Sequence, residues 1–116
     1  MGLCWMLLHL ESVFVKLEDE PSVEEVEEAF ATFQGEPQEL KLPSAPQHPI
    51  VVRKEPNRPQ PRFDRDEGKG MSVVVGRVRK DPIMNVKYIC LGHNTIRGGA
   101  GAGILSAELT VAKGLA

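Results

Sequence analysis

The chain is poor in the residue types that build several common functional sites. Aromatic residues make up only 5% of its 116 positions, so a core must be built mainly from Val, Ile, Leu and Ala. The formal net charge of -2 argues against a nucleic-acid-binding protein, since such proteins depend on positive charge. No apolar run approaches the roughly 20 residues that cross a bilayer, so no membrane role is expected.

Cysteine is also scarce. The two cysteines, Cys4 and Cys90, form neither a disulfide framework nor a metal-binding motif. We therefore expect no bound metal and a reduced, intracellular compartment, the cytoplasm. Cys90 lies in an apolar segment and is expected to be a buried thiol.

Residues 1–8 are apolar but lack the features of a targeting segment. No basic residue precedes the apolar stretch, and no small-residue cleavage site follows it. Gly2 could accept a myristoyl group, but Met6 stands where that motif requires Ser or Thr. We interpret residues 1–8 as an anomalous start.

The first regular elements are a strand and an amphipathic helix. Residues 11–17 alternate polar and apolar side chains, which predicts a half-buried strand. Ser22 and Glu25 have the spacing of a capping box, and apolar residues then recur at helical spacing. These patterns predict a helix over residues 23–34 that ends at Gly35.

Prolines recur throughout residues 36–62. They leave room for one short strand, Ile50–Arg53. The segment could be a disordered linker or a polyproline II ligand, since Pro56 to Pro59 is a PxxP sequence. Well-patterned elements flank it, however, so we favour an ordered loop that crosses a sheet edge.

The C-terminal half predicts a strand pair followed by a helix. Residues 71–79 form one strand, with Gly76 a candidate bulge, and residues 86–91 form the next, antiparallel to it. An apolar face predicts a helix over residues 95–113. The predicted fold class is α+β, with a partial mixed or antiparallel sheet.

Glycine and alanine dominate residues 98–112, directly after a strand. The spacing does not complete G-x-G-x-x-G, and no following strand finishes a βαβ unit. A P-loop is excluded because no Gly-Lys-Ser/Thr sequence follows. Small residues permit close approach to the backbone, either by another element or by a cofactor.

Several separate motifs of this half occur in the order found in one enzyme family. They are Arg58–Arg62, Asp64–Asp66, Met71–Arg79 and Leu91–Gly98, with Pro43–Pro46 and the Glu-rich helix before them. With these motifs the chain, from Glu11 onward, resembles the end of aspartate-semialdehyde dehydrogenases of the archaeal and fungal branch. Malonyl-CoA reductases of related sequence share much of the pattern.

The resemblance implies a two-part enzyme with an NADP-binding Rossmann domain and a catalytic and dimerisation domain. Residues 9–92 would belong to the latter, and residues 93–116 would form a helix that packs on the NADP-binding domain. The implied reaction reduces aspartyl phosphate to aspartate semialdehyde through a cysteine thiolate, in the biosynthesis of lysine, threonine and methionine. A homo-oligomer is also implied, with no nucleic acid, membrane or metal as partner.

The resemblance assigns two residues to the site. His9 stands where the family places its general base, although Leu8 replaces a glycine there and no arginine precedes it; the alternative is a histidine in a disordered terminus. Asn94 matches the asparagine near the nicotinamide carboxamide, and its alternative role is the N-cap of the last helix. His48 and His93 are given no role.

The nucleophile motif does not occur in the chain, and neither Cys4 nor Cys90 matches it. The isolated chain is therefore expected to be inactive. The alternatives are a non-catalytic dimerisation module, a remnant without a stable product, or a fragment of a malonyl-CoA reductase.

Overall fold

The structure is a computed structural model, and it describes residues 8–116. A four-stranded sheet with the strand order β1-β4-β3-β2 forms its centre. The strands are β1 (Leu8–Val15), β2 (Ile50–Arg53), β3 (Val73–Asp81) and β4 (Asn85–His93). β4 is antiparallel to both β1 and β3, whereas β2 is parallel to β3. The predicted mixed sheet of an α+β fold is thus confirmed. The interpretation of residues 1–8 as an anomalous start rests mainly on residues 1–7, which lie outside the described residues.

β1 begins earlier than the alternation of side chains predicts. Its pairing runs from Leu8 opposite His93 to Val15 opposite Val86. The strand thus begins before the predicted residues 11–17, because pairing with β4 extends it beyond its alternating part. His9 lies inside this strand, which contradicts the alternative of a histidine in a disordered terminus.

Helix α1 (Val23–Thr32) begins with the predicted capping box. The Glu25 amide donates to Ser22 Oγ at 3.1 Å, and the Ser22 amide donates to Glu25 Oε2 at 2.7 Å. α1 packs on one face of the sheet, where Val26 joins a core with Val75, Val78 and Val86. The helix ends two residues before the predicted Gln34, at a Phe33 cap.

The proline-rich segment is ordered and contains two short helices besides β2. They are α2 (Glu36–Glu39) and α3 (Pro61–Asp64), each with a proline in its first turn. Proline suits that position because the first helical amides have no partner within the helix. The expectation of a single strand between prolines therefore missed both helices.

The predicted bulge of β3 is present at Gly76. The register with β4 shifts between Gly76 and Arg79, and Arg77 adopts a positive φ of 56°. A Cβ atom on Gly76 would lie 2.4 Å from the Arg58 carbonyl oxygen. The bulge therefore coincides with the place where the proline-rich segment crosses the sheet.

The predicted C-terminal helix is present but interrupted. Residues Ile96–Ala100 form a wide helical turn, and Gly99 leaves helical geometry before α4 (Gly101–Ala112) begins. α4 docks through Leu105 on Leu42 and Met71. Two further contacts hold it, from Ser44 to Glu108 and from Glu36 to Lys113.

Within residues 8–116, no helix is long and apolar enough to cross a membrane. The same residues include no group of acidic, histidine and cysteine side chains that could hold a metal ion.

Candidate functional site

A pocket of about 230 Å³ lies where β1 begins and β4 ends. Both site residues predicted from the sequence line it, although His9 and Asn94 are far apart along the chain. The antiparallel register explains their proximity, because His9 stands opposite Gly92, two residues before Asn94. The remaining lining residues are Glu11, Val73, Cys90, Gly92, His93, Arg97 and Gly98.

His9 presents its imidazole to solvent at the mouth of this pocket. Its side chain is 71% exposed, and Nδ1 lies 3.9 Å from Glu11 Oε1. A histidine side chain can both donate and accept hydrogen bonds through its two ring nitrogens, and it is a common proton-transfer group in enzymes. The geometry therefore suits proton exchange between His9 and a ligand in the pocket.

Cys90 is half-buried rather than fully buried as expected. Burial, and then the negative charge of Glu11, raise the pKa of the Cys90 thiol. The reactive form of cysteine is the thiolate, which this environment disfavours. The physical surroundings thus agree with the sequence motifs in giving Cys90 no nucleophilic role.

The junction between β4 and the last helix is organised by His93. Its Nδ1 lies 3.3 Å from the Ile96 amide nitrogen and 3.2 Å from Thr95 Oγ1. Thr95 occupies the N-cap position but makes no capping hydrogen bond with its own side chain. The N-cap is therefore Thr95, one residue after Asn94, so Asn94 does not have the alternative role of N-cap.

Sequence reasoning missed His93 and Arg97 as lining residues of this pocket. A signal was available for His93, since a polar side chain shortly before a helix is a candidate cap. Its spacing of three residues from Ile96 is compatible with that role. No pattern in the sequence singles out Arg97.

The pocket can hold only a small part of a cofactor. Ligand sites usually enclose about 300–1,000 Å³, more than this pocket offers. A Cβ atom on Gly92 would meet no atom within 4 Å, so the pocket is open at that point. Asn94 can donate and accept hydrogen bonds, as a carboxamide group requires. These residues fit one end of a nicotinamide cofactor, and the rest would need another domain.

Among the cavities larger than this pocket in the described part of the chain, two with separate linings contain neither predicted site residue. One, of about 510 Å³, is bordered by the loop at Ser44 and by Lys69 and Gly101. The other, of about 360 Å³, is an apolar groove between α1 and the strands β1 and β4. Neither cavity was expected from the sequence.

One known protein family matches most of the chain. The model of the semialdehyde dehydrogenase dimerisation domain matches residues 6–97, which is more than half of the chain. The chain belongs to the semialdehyde dehydrogenase family. The resemblance predicted from its motifs is thus confirmed.

Individual relatives support the assignment of the chain to this family. It is 54% identical over 103 residues to an aspartate-semialdehyde dehydrogenase of Methanothermobacter thermautotrophicus, covering 87% of this chain and 30% of the relative. It is 47% identical over 108 residues to a malonyl CoA reductase (NADP) of Metallosphaera sedula, covering 91% of this chain and 30% of the relative.

A solved structure shows the same fold. The crystal structure of aspartate semialdehyde dehydrogenase with NADP from Candida albicans superposes with a TM-score of 0.84 and 41% identity, covering 94% of this chain and 31% of that one. The chain therefore spans about a third of the length of the relatives that it matches.

Proposed function

We propose that the chain is the C-terminal part of an NADP-dependent aspartate-semialdehyde dehydrogenase of the cytoplasm. The observation that carries this proposal is the pocket in which His9 and Asn94 come together. The reaction would be the reductive dephosphorylation of aspartyl phosphate to aspartate semialdehyde, a step toward lysine, threonine and methionine. Family membership supports the reaction class, and the pocket supplies candidate residues for it.

The two candidate residues of the pocket then have defined tasks. His9 acts as the general base, since its exposed imidazole can take a proton from a group in the pocket. Asn94 holds the carboxamide of the nicotinamide ring through its amide. NADP supplies hydride transfer when it is bound.

The outer face of α4 would receive the NADP-binding domain. One side of the helix is already covered, where Leu105 is buried. On the other side Ile104 is 56% exposed and Val111 is 66% exposed, and Gly103 has open space around it. An apolar helix face beside the Asn94 pocket is a suitable surface for a domain that brings a cofactor to that pocket.

The proposal is tested in a hybrid enzyme. Residues 9–116 replace the corresponding C-terminal region of the Methanothermobacter enzyme, to which the chain is 54% identical. We expect NADPH oxidation with aspartyl phosphate from the hybrid and none from the isolated chain. In the hybrid, His9→Asn should lower kcat about 10²- to 10⁴-fold, the usual contribution of a general base. Asn94→Ala should raise KM for NADPH.

His48→Asn is the matched control, because His48 is exposed and does not line the pocket. It should leave both kinetic parameters unchanged. A hybrid that remains fully active with His9→Asn, or an isolated chain that oxidises NADPH with aspartyl phosphate, would contradict the proposal.

The Metallosphaera relative motivates an alternative substrate. That relative is a malonyl CoA reductase, and its identity to this chain is 47%. A second hybrid on that enzyme, assayed with malonyl-CoA, would favour the alternative if it retained a larger share of its parent's activity than the first hybrid does.

A second function, homo-oligomerisation, is favoured by the sheet face that lies opposite α1. Leu10 and Phe14 point to this face from β1 and are 53% and 51% exposed. Exposed apolar side chains on a sheet face are typical of an interaction surface. We propose that two copies of the chain associate through this face, which agrees with the dimerisation domain that the family model describes. A stable monomer in sedimentation equilibrium would contradict it.

A further inference from the structure

We propose that His93 is a positioning residue, whose neutral imidazole caps the β4–helix junction and thereby sets the position of Asn94. The capping role stands on the contacts of His93 alone. Its functional meaning rests on the role proposed above for Asn94. Neither the family match nor the named relatives assign a role to His93.

The backbone leaves a specific need at this junction. Helical geometry begins at Ile96, so the Ile96 amide belongs to the first turn, where amides have no acceptor within the helix. An N-cap side chain usually supplies that acceptor, but Thr95 does not. The His93 ring reaches forward three residues and places Nδ1 3.3 Å from the Ile96 nitrogen.

The contact determines the protonation of the ring. A backbone amide can only donate, so Nδ1 must be the acceptor and cannot carry a proton. The neutral ring then carries its proton on Nε2. Thr95 Oγ1, 3.2 Å from the same nitrogen, must likewise act as a donor. A doubly protonated ring would direct an N–H group at the Ile96 amide and lose the cap.

The contact between His93 and Ile96 bridges Asn94 and so restricts the position of Asn94. His93 is the last residue of β4, and pairing with Leu8 holds its backbone in the sheet. The ring then joins this fixed point to Ile96, and only Asn94 and Thr95 lie between them. Both ends of the short segment are tied, which limits the positions that Asn94 can take in the pocket.

The ionisable groups around His93 are those that line the same pocket. They are His9 and Glu11 from β1, Cys90 from β4, and Arg97 from the turn after the junction. Glu11 is the acid among these lining residues, and its carboxylate is 3.9 Å from His9.

The tautomer is measurable in the full 116-residue chain labelled with ¹⁵N. At neutral pH, two-bond ¹H–¹⁵N correlation spectra distinguish a protonated from an unprotonated ring nitrogen. We expect His93 to have an unprotonated Nδ1 and a protonated Nε2. A protonated Nδ1 would overturn the proposal. No cofactor is needed, so failure of the proposed enzymatic function leaves this result unaffected.

Two substitutions separate a cap from general packing. Asn has an acceptor oxygen at the position of Nδ1, so His93→Asn should keep the exchange rate of the Ile96 amide within about twofold. Gln carries the same amide one bond further out, and His93→Gln should raise that rate about tenfold, as expected for the loss of one net hydrogen bond. The Asn94 side-chain amide should broaden or shift with Gln and not with Asn. Equal exchange in both variants would overturn the proposal.

Discussion

The most demanding test of the fold is the replacement of Asp64 by Asn. This carboxylate is 1% exposed and is one of two buried polar side chains in the described part of the chain. Arg53 Nε donates to it at 3.1 Å, Arg58 Nε at 2.7 Å, and the Gln60 amide at 2.7 Å. A second nitrogen of Arg58 completes the pair. Asp64 therefore connects β2 to the loop before α3 and to the start of that helix.

The expected loss of stability follows from these contacts. Removal of one partner from a buried ion pair costs about 3–5 kcal/mol, because it leaves an uncompensated charge. The arginine side chains are 28% and 21% exposed, so water can compensate part of that charge. We therefore expect the lower end of that range, about 3 kcal/mol in the free energy of unfolding, for Asp64→Asn. Urea unfolding measures it as a shift in midpoint.

The control is Asp66→Asn in the same segment. Asp66 is also an acid paired with an arginine, at 3.2 Å from Arg65, but its side chain is 72% exposed. Its replacement should change the free energy of unfolding by less than about 0.5 kcal/mol. Equal effects of the two substitutions would refute the reasoning, since burial would then have no role.

The two arginines should not contribute equally to this effect. Arg53 also donates to Glu67 at 2.5 Å, so it keeps a carboxylate partner when Asp64 is replaced. Both hydrogen bonds of the Arg58 guanidinium to a carboxylate go to Asp64, and the same guanidinium lies 5.5 Å from the Phe63 ring centre. Double-mutant cycles should therefore show a larger coupling energy for Asp64 with Arg58 than with Arg53. The reverse order would contradict this distribution of charge.

The same network predicts how stability depends on pH. Burial acts to raise the pKa of Asp64, but hydrogen bonds from Arg58 and the Gln60 amide, with the charge of Arg58, outweigh it and lower the pKa. The lowered pKa contributes stability above the unfolded value of about 3.9, and this is lost as pH falls through the folded value. Between pH 7 and pH 3 the free energy of unfolding should therefore decrease less with falling pH for Asp64→Asn than for the unmodified chain.

Two further predictions concern the sheet. Gly76→Ala should destabilise the chain by about 1–3 kcal/mol, because the new Cβ atom would lie 2.4 Å from the Arg58 carbonyl oxygen. Gly92→Ala should have little effect, since no atom lies within 4 Å of its new Cβ atom. Urea unfolding compares the two variants, and equal effects would contradict this steric explanation. Phe14→Ser should weaken self-association measured by sedimentation, while Ile83→Ser, at a turn residue that is 80% exposed, should not; equal weakening would locate the interface elsewhere.

Local patterns in the sequence predicted the elements whose causes are themselves local. The capping box of Ser22 and Glu25 depends on two residues three apart, and it is present. The bulge at Gly76 could also be predicted, because glycine interrupts a valine-rich strand. The strand ends could not, since Leu8 is drawn into β1 by pairing with His93, which is remote in sequence.

The proline-rich segment shows where such local reasoning stops. Its prolines predicted breaks, but Pro37 and Pro61 instead lie in the first turns of helices. The second half of the segment is held by Asp64, whose carboxylate accepts hydrogen bonds from Arg53, Arg58 and the Gln60 amide. A sequence shows these residues as isolated polar positions in a loop, because their burial becomes visible only once the backbone has brought them together.

The site shows the same division between residue identity and arrangement. The family resemblance identifies His9 and Asn94 as site residues, whereas their shared pocket is a consequence of the register between β1 and β4. The sequence gives His93 no role, because a lone histidine is usually a surface or packing residue. Its role depends on a helix that begins at Ile96, after a cap position whose own side chain does not cap. A side chain that caps a nearby backbone amide can thus be recognised only after the helix start, and with it the amide that lacks an acceptor, has been located.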